Sequence, residues 1–236
     1  MTTTDGRSQL RRGRRELVLP TQTLILAFRI ELQETDPLVW RTIEVSGTAT
    51  FWDVHVAIQD AMGWLDYHLH QFRIPHPRTK QARTFGIHNL SQDCDDTPSW
   101  AHQVASMFTL RNDTAHYAYD FGDDWQHTVR LVDMLRRDFT LSYPRCTGGA
   151  RACPPEDCGG IHGFSALLAG LADGTLDDDT RVWLPDGYDP AHFDPAAVRF
   201  SDPARRLAYS WYGNPSTVSE GEGIDYHRHL LARTVA

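Results

Sequence analysis

Tyr117-Ala118-Tyr119-Asp120-Phe121-Gly122-Asp123-Asp124-Trp125-Gln126-His127 is the stretch on which the fold reading turns. Gly122-Asp123-Asp124 has the composition of a tight turn, because glycine supplies positive φ and aspartate bonds its own nearby backbone. Strand-like runs flank it, Tyr117 to Phe121 before and Trp125 to Met134 after. Two such runs joined by so short a connection predict a β-hairpin. With Phe121 opposite Trp125, Tyr119 faces His127 and Tyr117 faces Val129, so one face of the hairpin is strongly aromatic.

Further strands are expected on either side. Leu26, Phe28, Ile30 and Leu32 alternate with Ala27, Arg29, Glu31 and Gln33, a period of two that predicts a half-buried strand over Thr23 to Gln33. Asp36-Pro37 breaks it, Val39 to Val45 reads as a second strand, and Ser46-Gly47 turns the chain. Thr50 with Asp53 three residues on has the form of a capping box. Val54, Ala57, Ile58, Ala61 and Met62 follow at helical spacing, and Gly63 is a suitable stop. Leu69 to Ile74 reads as a strand, and residues 75 to 115 as a long connection with one short element around Gln103 to Leu110. Tyr143 to Gly160 shows neither helical nor strand periodicity and reads as a structured loop. Short helices are expected at Phe164 to Leu171 and within residues 195 to 210.

These elements predict an α+β fold: a mixed or antiparallel sheet with packed helices, forming a single domain with irregular loops. The expected organisation is a basic disordered arm at 1–20, the α+β domain at 21–205 and a poorly ordered tail at 206–236. Phe28, Ile30, Trp40, Ile58, Phe72, Tyr119 and Trp125 are expected to be buried together, because their faces agree.

Composition excludes several classes. The chain has 236 residues, with 41% hydrophobic and 23% charged, which is ordinary for a globular protein with a real core. No run reaches the roughly 18 apolar residues of a membrane span. No apolar stretch follows the N-terminal basic residues, so a secretory signal is not expected and a cytoplasmic location is. Four cysteines are too few for a disulfide scaffold. Residues 1 to 15 carry five arginines against one acid, +4, which leaves −12 for the remainder. That acidic body repels a nucleic-acid backbone, so nucleic acid is a candidate partner only through the arm, Arg7, Arg11, Arg12, Arg14 and Arg15.

Two constellations carry possible chemistry. Cys146-x6-Cys153-x4-Cys158 supplies three thiols in a Pro/Gly loop, and His127 or His162 could complete a tetrahedral zinc site. The competing reading is that these are simple loop cysteines, since the spacing is not a familiar CxxC knuckle. Asp120, Asp123 and Asp124 place three carboxylates within five residues, suited to a hard cation or to acid/base work. Against this, a tight turn selects the same residue types. His68-x-His70 puts two imidazoles on one strand face, where Phe72 and Ile74 favour packing over metal binding. No phosphate-cradling glycine loop and no GxSxG elbow is present, so no motif argues for catalysis.

Four stretches together resemble the plasmid pRiA4b ORF-3-like family. They are Pro37-Leu38-Val39-Trp40-Arg41 with the helix ending at Gly63-Trp64 and His68-Leu69-His70-Gln71-Phe72; Tyr119 to His127; Cys146 with Ala152 to Gly160 and Gly163-Phe164; and Asp189 to Asp194. They occur in the family's order and span roughly residues 24 to 200. The resemblance implies an α+β fold and an association with plasmids and mobile elements, but no activity. Some members carry resolvase-like names. A serine recombinase needs a nucleophilic serine on its N-terminal strand, and Thr23 to Gln33 contains none.

The leading expectation is therefore a non-enzymatic binding or adaptor domain for a protein or small-molecule ligand, with zinc as a candidate structural metal. Its expected metal ligands are Cys146, Cys153, Cys158 and His127, and its expected binding residues are Asp120, Asp123, Asp124, Trp125, Glu156 and Asp157. The alternatives are a metal-dependent enzyme built on the same carboxylates and a nucleic-acid accessory protein acting through the arm. The two constellations are expected to merge, with Asp120 and His127 beside the Cys146 to Gly160 loop, because short connections keep sequential elements adjacent.

Overall fold

In the computed structural model of the chain, residues 20–87, 97–185 and 187–212 are described. Their centre is one eight-stranded sheet built from β1 (Leu24–Leu32), β2 (Trp40–Ser46), β3 (His70–Pro75), β4 (Ala82–Gly86), β5 (Thr97–Pro98), β6 (Thr114–Tyr119), β7 (Trp125–Arg136) and β8 (Arg145–Ala150). The order across the sheet is β5-β4-β3-β6-β7-β1-β2-β8. Every neighbouring pair is antiparallel except β4 and β5, so the sheet is mixed. Four helices accompany it: α1 (Phe51–Met62), α2 (Gly160–Asp173), α3 (Asp178–Trp183) and α4 (Pro203–Tyr212). The fold is α+β, with the sheet dominant. No helix among the described residues is long and apolar enough to cross a membrane.

The hairpin forms, with a register two residues from the expected one. Tyr119 pairs with Trp125 and Tyr117 with His127, which leaves a five-residue connection, Asp120 to Asp124. A shift of two preserves the alternation, so the same aromatic side chains still face inward. Phe121 sits on the connection and is exposed.

Helix α1 begins and ends as its sequence predicts. The Thr50 hydroxyl accepts from the Asp53 backbone N–H, the Asp53 carboxylate accepts from that of Thr50, and Gly63 is left-handed at φ 91°. The helix lays Phe51, Val54, Ala57 and Ile58 onto the inward face of the sheet, where Phe28, Ile30, Phe72, Tyr119 and Trp125 await them in one cluster. Phe164 and Leu167 of α2 join the same cluster.

Trp40 departs from the expected core. In β2 it is Arg41 that turns inward, while Trp40 lies half-exposed on the opposite face beneath the Arg29 guanidinium, 3.9 Å from the ring centroid. Arg41 is buried without a carboxylate partner among the described residues. Its nitrogens donate to the carbonyls of Ala61, Trp40 and Ala150, and its guanidinium stacks 3.6 Å over Phe193.

Strand β8 lies inside the stretch that reads as a loop. It pairs with β2 through Thr42↔Gly148 and Arg41↔Gly149. Glycine has no side chain to show alternation, and here it is required by close packing. A Cβ on Gly149 would come within 2.2 Å of the Phe193 ring. The expected domain edge at 205 falls inside α4, whose Leu207 is buried. The arm and residues 213–236 lie outside the described residues.

The core also encloses a polar chain. Gln59 Nε2 donates to the Tyr117 hydroxyl at 2.9 Å. That hydroxyl lies 2.8 Å from His55 Nδ1, and His55 Nε2 lies 2.8 Å from Asp66 Oδ1. A carboxylate only accepts, so His55 donates to Asp66 from Nε2. His70 stacks flat on His55, with ring centroids 3.6 Å apart, and among the described residues neither of its nitrogens has a hydrogen-bond partner. Burial, then the neighbouring His55, push the His70 pKa well below its ordinary value. Burial likewise lowers that of His127 to about 4, against hydrogen bonds to the Tyr117 and Trp125 carbonyls that favour its charged form.

Two outcomes are expected. Ile58→Ala lowers the unfolding free energy by about 2–5 kcal/mol in urea titrations, and a loss of a few tenths would contradict its core placement. His70 and His127 are neutral when folded, whereas an unfolded histidine takes up a proton below about pH 6.5. Stability is therefore complete above that pH and falls as pH drops from there through about 4, by up to about 1.4 kcal/mol per pH unit for each histidine. Urea midpoints at pH 7.5, 6 and 5 measure the slope, which His127→Gln reduces.

Candidate functional site

Three chain segments meet at one end of the sheet. They are residues 64–69 between α1 and β3, the Asp120–Asp124 connection, and the loop from Arg151 to Gly160. Trp64 ties the first to the third and to the strands on either side of the second. Its ring stacks on Tyr119 with centroids 5.0 Å apart, meets His127 edge-on at 5.4 Å, and its Nε1 donates to the Pro154 carbonyl at 2.9 Å. The Leu65 N–H donates to Glu156 Oε1 at 2.7 Å, and the Tyr67 N–H to the Tyr119 hydroxyl at 3.1 Å. That hydroxyl in turn donates to Glu156 at 3.0 Å, while the Asp120 N–H donates to the Leu69 carbonyl. On the far side, the Gly159 N–H donates to Asp123 Oδ2 at 3.1 Å. Gly160 is at φ 66° and presses on the connection so closely that a Cβ there would lie 2.6 Å from the Asp123 carbonyl. Only glycine fits that approach.

His68, Asp120 and Asp157 converge at this seam, one from each segment. His68 Nε2 lies 3.0 Å from Asp157 Oδ1 and 3.5 Å from Asp120 Oδ2, and all three ligand atoms lie within 4.8 Å of one another. The Asp120 side chain is 9% exposed, that of His68 30% and that of Asp157 62%, so the group runs from a buried carboxylate out to solvent. Asp120 Oδ1 accepts from the Gly122 N–H, which aims Oδ2 at His68. Glu156 stands next to the group with its pKa raised, chiefly by burial, while its bonds from Leu65 and Tyr119 pull the other way. Such an arrangement offers one imidazole nitrogen and two carboxylates to a cation, beside a carboxyl held toward its neutral form.

The expected binding residues divide accordingly. Asp120, Asp123, Glu156 and Asp157 are brought together here. Asp124 instead pairs with the Gln126 amide, and Trp125 is buried under Trp64 rather than lining an open surface.

The expected thiol set does not assemble. Among the described residues, His68, Asp120 and Asp157 form the one group of three metal-ligating atoms this close, and it contains no cysteine. Cys146 is held in β8 opposite Ile43 and points its Sγ at the Gly148 carbonyl. Cys153 is buried, and the charge beside both of them is the Arg41 guanidinium. Burial raises all three thiol pKa values, that of Cys158 to about 12. His127 Nδ1 lies within reach of the Tyr117 and Trp125 carbonyls, and its unpartnered Nε2 is fully buried. His162 belongs to α2 and to no such group.

His68 is the residue that sequence reasoning assigned to packing. The alternation applied to His68-x-His70 holds only within a strand, and β3 starts at His70. His70 goes into the core and His68 to the seam. The available signal was the helix stop at Gly63, which leaves only a short irregular segment before the strand.

The family model described as plasmid pRiA4b ORF-3-like protein matches residues 24–197. The uncharacterized protein y4hQ of Sinorhizobium fredii (strain NBRC 101917 / NGR234) is 28% identical over 182 residues, covering 75% of this chain and 87% of its own. The crystal structure of MM3350 from Methanosarcina mazei Go1, titled a protein of unknown function, superposes with a TM-score of 0.70 at 38% identity, covering 76% of this chain and 99% of that one. With the family model spanning all eight strands and both seam loops, the chain belongs to the plasmid pRiA4b ORF-3-like family.

Proposed function

We propose that this chain is a binding domain whose seam site takes a divalent cation of the zinc class through His68, Asp120 and Asp157. The observation that carries this reading is the meeting of three ligand atoms from three separate segments. Donors about 2.1 Å from one ion, at octahedral or tetrahedral angles, lie about 3.0–3.4 Å from each other. The separations from His68 Nε2, 3.0 and 3.5 Å, match that requirement closely. An imidazolium ion pair with the two carboxylates is the competing account, and it would saturate the same atoms without an ion.

Three protein ligands leave coordination positions open toward solvent, where Asp157 is exposed. An oxygen-bearing group on a protein or small-molecule partner is the natural occupant. Glu156 favours a second reading, a metal-dependent enzyme, because a carboxyl with a raised pKa beside an open metal position is suited to acid/base work. Binding is the reading we favour, because the meeting of three ligand atoms is the feature that the geometry carries furthest. Contact with nucleic acid stays a proposal resting on the composition of the arm alone.

Calorimetric titration with zinc is expected to show one site on the wild-type protein, weakened at least about tenfold in His68→Ala and in Asp157→Asn. Cys146→Ser and Cys158→Ser leave it within about twofold, since neither thiol belongs to the group. A wild-type protein that takes up no zinc, or loses it with the cysteines, contradicts the proposal.

A further inference from the structure

Segment 64–69 faces the seam at nearly every residue. Trp64, Leu65, His68 and Leu69 bond to the connection or the loop, and Tyr67 bonds to Tyr119 at the end of β6. Asp66 alone turns the other way. Its Oδ1 accepts from His55 Nε2 at 2.8 Å, and its Oδ2 lies 3.6 Å from a guanidinium nitrogen of Arg206. Its backbone is left-handed at φ 64°, a region that aspartate enters more readily than most residues but still at a cost.

Arg206 belongs to α4, which is fastened to α1 at several points. The Asp60 carboxylate accepts from Arg206 and from both the backbone and hydroxyl of Ser201. Trp52 Nε1 donates to the Pro203 carbonyl at 2.8 Å, and Leu207 is buried against Trp52 and Val56. A continuous path of contacts therefore runs from α4 through Arg206 to Asp66, two residues before the histidine of the seam.

We propose that Asp66 is a positioning residue, and that α4, acting through Arg206, sets the affinity of the His68–Asp120–Asp157 site. This rests on the cation reading of that site. With Arg206 in place, the Asp66 carboxylate is held from two sides and residue 66 stays left-handed. That bend lets Tyr67 reach Tyr119 while His68 reaches Asp120 and Asp157. Without the guanidinium, a carboxylate that is 4% exposed keeps His55 and loses a charged neighbour. Residue 66 then relaxes toward ordinary backbone angles, and His68 leaves the seam. Coupling of this kind acts on a discrete backbone state, which is the physical element that an allosteric claim needs.

The test compares Arg206→Gln, Asp66→Asn, their double variant and Arg205→Gln, an arginine on the same helix that is 92% exposed. Two quantities are read: zinc affinity, and amide hydrogen exchange at Leu65 and Tyr67. Each single variant is expected to weaken zinc about tenfold and to accelerate exchange at both amides, with the double variant no worse than the weaker single. Arg205→Gln matches the wild type. Independent, multiplying effects in the double variant, or an Arg206→Gln protein with wild-type affinity and exchange, would overturn the proposal. If the wild type binds no zinc, the cation reading fails separately, and exchange at Leu65 and Tyr67 alone decides the coupling. If Asp66→Asn does not fold, Arg206→Gln decides it in the same way.

Discussion

The packing of Trp64 is the contact on which the site's geometry depends. A helix that stops at Gly63 delivers an indole whose face meets Tyr119, whose edge meets His127 and whose N–H is taken by the Pro154 carbonyl. Those three partners belong to β6, β7 and the loop that precedes α2. Fixed around one buried ring, they bring the next residues of three distant segments into register. Burying an indole with its N–H satisfied supplies both apolar area and direction, which explains why an aromatic with a polar handle occupies this place.

The seam is also where the backbone is least relaxed. Asp66, Asp120, Asp124 and Asp157 are all left-handed, with φ between 52° and 64°. Aspartate tolerates that region better than most residues because its side chain bonds locally, yet each instance still costs on the order of 1 kcal/mol. Four of them within or beside one group of side chains is a cost the rest of the fold must offset, through the cluster of α1, α2 and the inward face of the sheet. Strain gathered at one place is a motive for reading that place as functional.

Much of this was legible in the sequence because period and capping are local properties. Strands β1 and β2, helix α1 with its capping box, and the hairpin all follow from spacing alone. What failed did so for identifiable reasons. A hairpin register depends on how many residues the connection takes, and the five residues from Asp120 to Asp124 look like three when only Gly and Asp are counted as turn formers. The β8 strand was hidden because Gly148 and Gly149 have no faces. Trp40 and Arg41 exchanged places because hydrophobicity suggests that a tryptophan points inward. Here three carbonyls and Phe193 give the arginine a buried home. The four carboxylates of the seam were visible as candidates, whereas His68, their imidazole partner, was not, since no local pattern records which segment will pack against which. The cysteines misled for the opposite reason: adjacency in sequence suggested convergence, and strand pairing holds Cys146 in β8, away from any such group.

The most direct test of a cation site at the seam is anomalous scattering from a crystal of the full chain grown with zinc, recorded at the zinc absorption edge. One peak is predicted about 2.0–2.2 Å from His68 Nε2 and from carboxylate oxygens of Asp120 and Asp157. A peak on Cys146, Cys153 or Cys158, or a seam in which His68 still pairs with the two aspartates and no peak lies between them, would contradict it.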